Sequence, residues 1–202
     1  MFIEQIPQVV RWFFSPVLWR KDSERKVIYL TFDDGPTEEN TRWILDQLDA
    51  RGVKATFFCI GKNVREHPEL YAEILKRGPR TGLHGYDHRR GLYKDEAAFA
   101  DDLQKAEQYV HSDLFRPPHG HLTFSQIRRF SQRFTIVLWD VITRDYNASL
   151  KPEQIYRIAV RYGRNGSIVV FHDSVKARAN MMYAFPKAVD YWLSKGYKFE
   201  TL

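Results

Sequence analysis

An α/β fold of right-handed βαβ units is predicted for this 202-residue chain by three observations. Short apolar runs recur along it, amphipathic patterns of helical period lie between them, and the two alternate almost throughout. Most of the runs are apolar without a break, as parallel strands covered on both faces are, whereas a strand with one wet face alternates. The length is near the top of the roughly 100–200 residues expected per domain. No repeat, low-complexity tract or Pro/Gly/Ser linker offers a place to cut the chain, so one domain is expected. Periodicity alone leaves both an open doubly wound sheet and a closed barrel with outer helices in play.

The elements follow in order. The stretch Val9 to Trp19 is aromatic and amphipathic without a richly basic polar face, which favours packing on the core over lying on a membrane. Val27 to Phe32 reads as the first strand, and Ile44, Leu45 and Leu48 share the apolar face of the helix after it. Lys54 to Phe58 is the next strand. Two helical patterns follow, one through Leu70, Ile74 and Leu75 and one through Phe99, Leu103, Ala106 and Val110. A weak strand signal at Leu114 to Arg116 precedes a stronger one at Thr135 to Trp139. Pro152 suits the first turn of a helix carrying Ile155, Ile158 and Ala159, which Gly163 or Gly166 stops. Ser167 to Phe171 is a strand. The last helix carries Phe185, Val189, Trp192 and Leu193 and ends at Lys195-Gly196, ahead of a strand at Tyr197 to Thr201.

Composition narrows the class. Apolar residues make up 44% and charged residues 28%, which excludes a disordered chain and a membrane channel. No apolar run approaches the roughly 20 residues that span a bilayer. Met1 to Gln8 lacks a Lys/Arg cluster and no small-residue cleavage site follows Val9 to Trp19, so the expected compartment is the cytoplasm, with no stable membrane insertion. The one cysteine, Cys59, lies in the apolar stretch Ala55 to Ile60 and reads as a small buried hydrophobe. The net charge of +6 comes entirely from residues 111–180, with 11 Lys and Arg against 5 Asp and Glu. That excess reads as a solvated basic face or as attraction to an anionic glycan. Arg128, Arg129 and Arg133 lack the interleaved aromatics that single-stranded nucleic acid requires, so no nucleic-acid partner is expected.

Five polar clusters stand where strands end, the place where α/β proteins build their sites. Thr31-Phe-Asp-Asp-Gly-Pro36 sets two adjacent carboxylates after a strand, where one can hold a metal while the other stays free as a base; alone, it is also ordinary turn chemistry. His84-Gly-Tyr-Asp-His88 spaces two imidazoles for one face of a helical turn, and with a carboxylate they make a metal site with open positions. Phe115-Arg-Pro-Pro-His-Gly120 is a rigid turn presenting a guanidinium suited to a carboxylate. Trp139-Asp-Val-Ile-Thr-Arg-Asp-Tyr146 again puts acids beyond a strand, and Ile168-Val-Val-Phe-His-Asp173 ends a strand on a histidine. Singly each has a bland alternative, a surface ion pair for Arg116 or a satisfied core histidine for His172.

With these five clusters in this order, the chain resembles the polysaccharide deacetylase family, carbohydrate esterase family 4, whose members carry a NodB homology domain. The resemblance implies a distorted (β/α) barrel of about seven parallel strands with outer helices. It spans 26–202, with 1–25 as an N-terminal extension packed on the barrel. It also implies removal of N-acetyl groups from an amino-sugar glycan. Asp34, His84 and His88 would hold one divalent metal ion, with zinc expected first and cobalt, nickel, manganese or iron as alternatives. Asp33 would be the general base and His172 the general acid, Arg116 holding the base and Asp145 tuning the acid. His119, Gly120, Trp139, Tyr146 and Phe171 would bind the substrate, with a backbone N–H near His119 facing the oxyanion.

The chain departs from the family pattern at Gly82-Leu-His-Gly85, where family members usually have Gly-Asn-His followed by Thr or Ser. Two polar supports of the ligand loop are therefore missing from the sequence. His119 stands for a usual tyrosine, Tyr146 for a tryptophan and Phe171 for a leucine. A noncatalytic glycan-binding protein on the same scaffold is the alternative, against which the joint presence of Asp33 and His172 argues. An iron oxygenase shares two histidines and a carboxylate but has no use for the Asp33, Arg116 and His172 set.

Overall fold

The computed structural model describes residues 5, 11, 14, 16–21, 23–91 and 96–202. Its strands are β1 (Val17–Leu18), β2 (Val27–Asp33), β3 (Thr56–Cys59), β4 (Arg80–Leu83), β5 (Leu114–Phe115), β6 (Thr135–Val137), β7 (Val141–Ile142), β8 (Ser167–His172) and β9 (Lys198–Phe199). Its helices are α1 (Thr41–Arg51), α2 (Gly61–Glu66), α3 (Pro68–Arg77), α4 (Glu96–Ala106), α5 (Phe124–Phe130), α6 (Pro152–Tyr162) and α7 (Arg178–Ser194). The sheet order is β1-β6-β5-β4-β3-β2-β8-β7, with β9 added to β2, and every pair is parallel. The sheet curls on itself. The single segment 135–142 pairs at its start with β5 and at its end with β8.

Side-chain alternation divides this curl into two apolar layers. Ile28, Leu30 and Phe32 of β2 join the large core under the helices, while Val27 and Tyr29 join an inner cluster with Phe58, Leu114, Val137 and Ile168. Successive residues of a strand face opposite ways, so these strands, buried on both faces, lose the alternating pattern from their sequence. On the outer layer Phe32 stacks on Phe57 at 5.2 Å and meets Phe185 of α7 edge-on at 5.1 Å between ring centroids. Cys59 belongs to this layer, and burial first, then the nearby Asp173 and Asp33 charges, push its thiol up, as an inert core cysteine requires.

The structure adds elements and corrects others. Among the described residues the sheet has nine strands where about seven are expected, the extra ones being short. β1 and β7 have two residues each, too few for any period, and β4 is Arg-Thr-Gly-Leu, which carries no apolar run. Leu75 does not share the buried face of α3, being 52% exposed, whereas Leu70 and Ile74 are buried. Val110 is buried but lies beyond the end of α4. Of the stretch Val9 to Trp19, residues 9, 10, 12, 13 and 15 lie outside the described residues. Its described part meets the barrel: Val17 and Leu18 pair with β6, Phe14 stacks on Phe124 at 5.0 Å, and Arg11 forms an ion pair with Asp140. Among the described residues no helix is long and apolar enough to cross a membrane.

Candidate active site

Asp33 is the last residue of β2 and His172 the last of β8, and the two are register partners. Partners in a parallel pair present their side chains to the same face. Asp33 and His172 therefore face the barrel interior together at its C-terminal end. Arg116 follows β5 directly, and its guanidinium fills the space between the strands, where it meets the carboxylate expected for it, Asp33. Arg116 is wholly buried. Nη1 donates to Asp33 Oδ1 at 2.6 Å and to Thr31 Oγ1 at 2.8 Å, Nε to the Val137 carbonyl at 3.2 Å and Nη2 to the Leu138 carbonyl at 3.0 Å. The guanidinium carbon lies 4.0 Å from the centre of the Phe58 ring, so the charge, four of the five donors and one face are engaged.

Asp34 breaks the alternation. Its φ of 78° is in the left-handed region that a short polar side chain tolerates, and its carbonyl accepts from Asn63 Nδ2 at 2.7 Å. The turn sends its carboxylate toward the histidines while Asp33 stays on the strand. His84 leaves β4 with its N–H bonded to the Cys59 carbonyl at 2.9 Å. Its Nδ1 is 2.7 Å from the Arg116 carbonyl, an acceptor that fixes the proton on Nδ1 and frees Nε2 as a ligand. The helical turn expected for the two histidines is not found. Residues 84–88 form a loop in which Gly85 and His88 have φ of 74° and 57°, and this loop brings the rings to 4.9 Å between centroids.

The donor set fits a divalent cation. One ligand atom from each of Asp34, His84 and His88 lies within 4.8 Å of the others, and Asp34 Oδ1 is 3.6 Å from His84 Nε2 and 3.4 Å from His88 Nε2. That oxygen is buried without a hydrogen-bond partner, a costly arrangement unless something else satisfies it. Burial, then His84, push His88 down to about 4 against the opposing pull of Asp34. Its ring is therefore neutral at neutral pH, as a ligand must be.

His172 is built for the opposite state. Burial pulls its ring down, but Asp145, through charge and hydrogen bond, together with Asp34 and Asp33, raises it to about 9. Nδ1 lies 2.7 Å from Asp145 Oδ1, and Asp145 Oδ2 accepts the His172 backbone N–H at 2.8 Å. Both carboxylate oxygens being used, the ring cannot swing, and Nε2 is left to face the site.

The remaining predicted residues divide. Tyr146 meets the His172 ring edge-on at 4.9 Å, and His119 lies beside His88 at 4.5 Å between ring centroids. Trp139 packs on Gly120: with φ at 69°, a Cβ there would come within 2.5 Å of the indole. Phe171 is a correction. One residue from His172, it faces the other way, wholly buried in the outer core against Phe32 and Phe185, and walls no pocket. Val170, two residues before His172, shares its face; counting by two from His172 would have found it. Sequence reasoning also missed Asp173. Its buried carboxylate accepts from Thr37 Oγ1 at 2.7 Å and Thr41 Oγ1 at 2.5 Å and holds the turn after Asp34 in place. Asp140 of the fourth cluster belongs to the far end, accepting from Ser167 at the start of β8 and from Arg164.

The family model for polysaccharide deacetylase matches residues 20–132, more than half of the chain. The chain belongs to the polysaccharide deacetylase family. Named relatives are peptidoglycan and chitooligosaccharide deacetylases, hydrolases that act on the amide bonds of amino sugars, and similar solved structures belong to carbohydrate esterase family 4. A peptidoglycan-N-acetylglucosamine deacetylase of Bacillus cereus is 29% identical over 194 residues, covering 92% of this chain and 91% of the relative. The crystal structure of a peptidoglycan N-acetylglucosamine deacetylase in complex with an N-hydroxybenzamide superposes with a TM-score of 0.89 at 27% identity, covering 98% of this chain and 95% of that one. A mutant of a family 4 pseudoenzyme with restored enzymatic activity is similar as well, with a TM-score of 0.79 at 25% identity over 91% of this chain and 68% of that one.

Proposed function

We propose that this protein hydrolyses the N-acetyl amide of an amino-sugar glycan, with Asp33 as general base, His172 as general acid and Asp34, His84 and His88 holding one divalent metal ion, zinc first among the candidates. The observation that carries the reading is the register pairing of Asp33 with His172 beside a buried, unpartnered Asp34 oxygen. When bound, the ion supplies Lewis acidity, polarising the acetyl carbonyl and acidifying water. Arg116 Nη1 holds and aims the Asp33 carboxylate, and Asp33 Oδ2, 4.0 Å from His84 Nε2, takes the proton from the attacking water. Cationic His172 gives a proton to the departing nitrogen, so that the C–N bond breaks to free amine and acetate. Trp139, Tyr146, His119 and Gly120 line the approach. The names of the relatives support an N-acetylglucosamine-bearing glycan such as peptidoglycan or a chitooligosaccharide as substrate.

A noncatalytic glycan-binding role is the second reading, favoured by the likeness to a family 4 pseudoenzyme. Binding alone needs neither a paired base nor a tuned acid. The discriminating experiment is acetate release by metal-loaded protein from a panel of chitooligosaccharides and peptidoglycan fragments. Release from at least one supports hydrolysis, and saturable binding of the same compounds without release supports the second reading.

The pH dependence follows from His172. Its folded value near 9 exceeds the ordinary 6.5, so the active cation is present through neutral pH and is lost as pH rises through the folded value. A bound cation shifts that limb below 9, never above it. The stability contribution runs the same way, complete below about 6.5 and gone above about 9. Asp145→Asn removes the largest raising influence, so the alkaline limb of kcat should move down by about one pH unit or more. A limb that stays in place in that variant would remove Asp145 from this role.

A further inference from the structure

The loop carrying both metal-ligand histidines is held by a carboxylate that comes from a distant helix and touches no ligand. Asp102 of α4 is 5% exposed. Its Oδ2 accepts the Tyr86 N–H at 2.8 Å and its Oδ1 the Asp87 N–H at 2.9 Å, so two of the peptides between His84 and His88 are fastened to one carboxylate. The other side of the loop is fastened to the start of α2, where Gly61 N–H donates to the Gly85 carbonyl at 2.9 Å and Lys62 N–H to the Tyr86 carbonyl at 3.2 Å. Below the loop the Tyr86 ring is buried, with Lys105 Nζ, one turn further along α4, 3.7 Å from its centre.

Gly85 is the residue that lets the carboxylate in. Its φ is 74°, and a Cβ there would lie 2.8 Å from Asp102 Oδ2. A side chain at 85 would require the Asp102 carboxylate to shift from the position in which it takes both N–H groups. The absence of a hydroxyl support at 85 is therefore matched by a stronger one from the far side, since hydrogen bonds to an ionised acceptor are about twice as strong as neutral ones.

We infer that Asp102 is the positioning residue of the metal centre, setting the separation of His84 and His88 through the backbone of residues 86 and 87, and that Gly85 and Asp102 work as a coupled pair. This rests on reading Asp34, His84 and His88 as metal ligands. Supporting partners of this kind change metal affinity by about 10–100-fold when removed. Arg89, whose Nε is 3.6 Å from Asp102 Oδ1 and whose side chain is 55% exposed, is a lesser partner and is not part of the device.

The test is zinc affinity by chelator competition for the parent, Asp102→Asn, Asp102→Ala, Gly85→Ala and the double variant Gly85→Ala/Asp102→Ala, with the thermal midpoint of each metal-free protein beside it. Asp102→Asn, which keeps one acceptor and turns a donor toward the other N–H, should bind zinc about 10-fold more weakly, and Asp102→Ala more weakly still. Acetate release by both should recover at excess zinc. Gly85→Ala should cost more zinc affinity in the parent than in the Asp102→Ala background. Parent-like zinc affinity in both Asp102 variants overturns the inference, as does a fall in metal-free midpoint with no loss of affinity. A parent that binds no zinc overturns the ligand reading itself, a different outcome from either.

Discussion

Asp33→Asn lowers acetate release by about 10²–10⁴-fold, the range for removing a positioned general base, while leaving zinc bound. The amide has the size and one acceptor oxygen of the carboxylate, so it still takes the bond from Arg116 Nη1 that Asp33 Oδ1 takes at 2.6 Å, but it accepts no proton from water. Asp34, the neighbouring carboxylate, does not substitute, because its φ of 78° turns it to the histidines. Acetate release measured with zinc content in the same samples checks this. Equal rates in variant and parent would move the base elsewhere, and loss of zinc together with rate would make Asp33 a ligand.

Arg116→Met has the largest expected effect on stability. The change leaves the Asp33 carboxylate buried beside an apolar side chain and withdraws donors from Thr31 Oγ1 and the Val137 and Leu138 carbonyls. Breaking a buried ion pair from one side costs about 3–5 kcal/mol, which lowers the melting temperature of a chain of this length by roughly 6–20 °C. The double variant Asp33→Asn/Arg116→Met should lose less than the sum of the two single variants, because each partner removes the other's uncompensated charge. Melting temperatures of the four proteins read this directly, and strict additivity would mean that the pair is not coupled.

Which parts were legible in the sequence follows from how each residue acts. Asp33, Asp34, His84, His88 and His172 stand at strand ends in short polar clusters, and chemistry of that kind survives in one dimension. Facing direction did not survive for Phe171: the strand is buried on both faces, so no alternation in its composition shows which residues turn inward, and only the pairing of His172 with Asp33 fixes the parity. Arg116 reads as a turn guanidinium suited to a carboxylate, and it finds one in Asp33, but its complete burial in the barrel interior has no signal in the sequence. Asp102 has no sequence signal at all. It sits in an amphipathic helix next to Asp101, where two acids read as a wet face, and its partners lie 15 and 16 residues away. The Gly85 that admits it reads as a missing support until the space above it is known to be taken by a carboxylate.

The central claim is that these strand-end residues form a working metal-dependent hydrolase and not a binding scaffold. Its most direct test is zinc titrated into chelator-stripped protein, with acetate release followed on the best substrate of the panel. Stripped protein should release no acetate, and release should rise to a plateau at one equivalent of zinc. One equivalent of tightly bound zinc with no release, from a glycan that the protein binds, would contradict it.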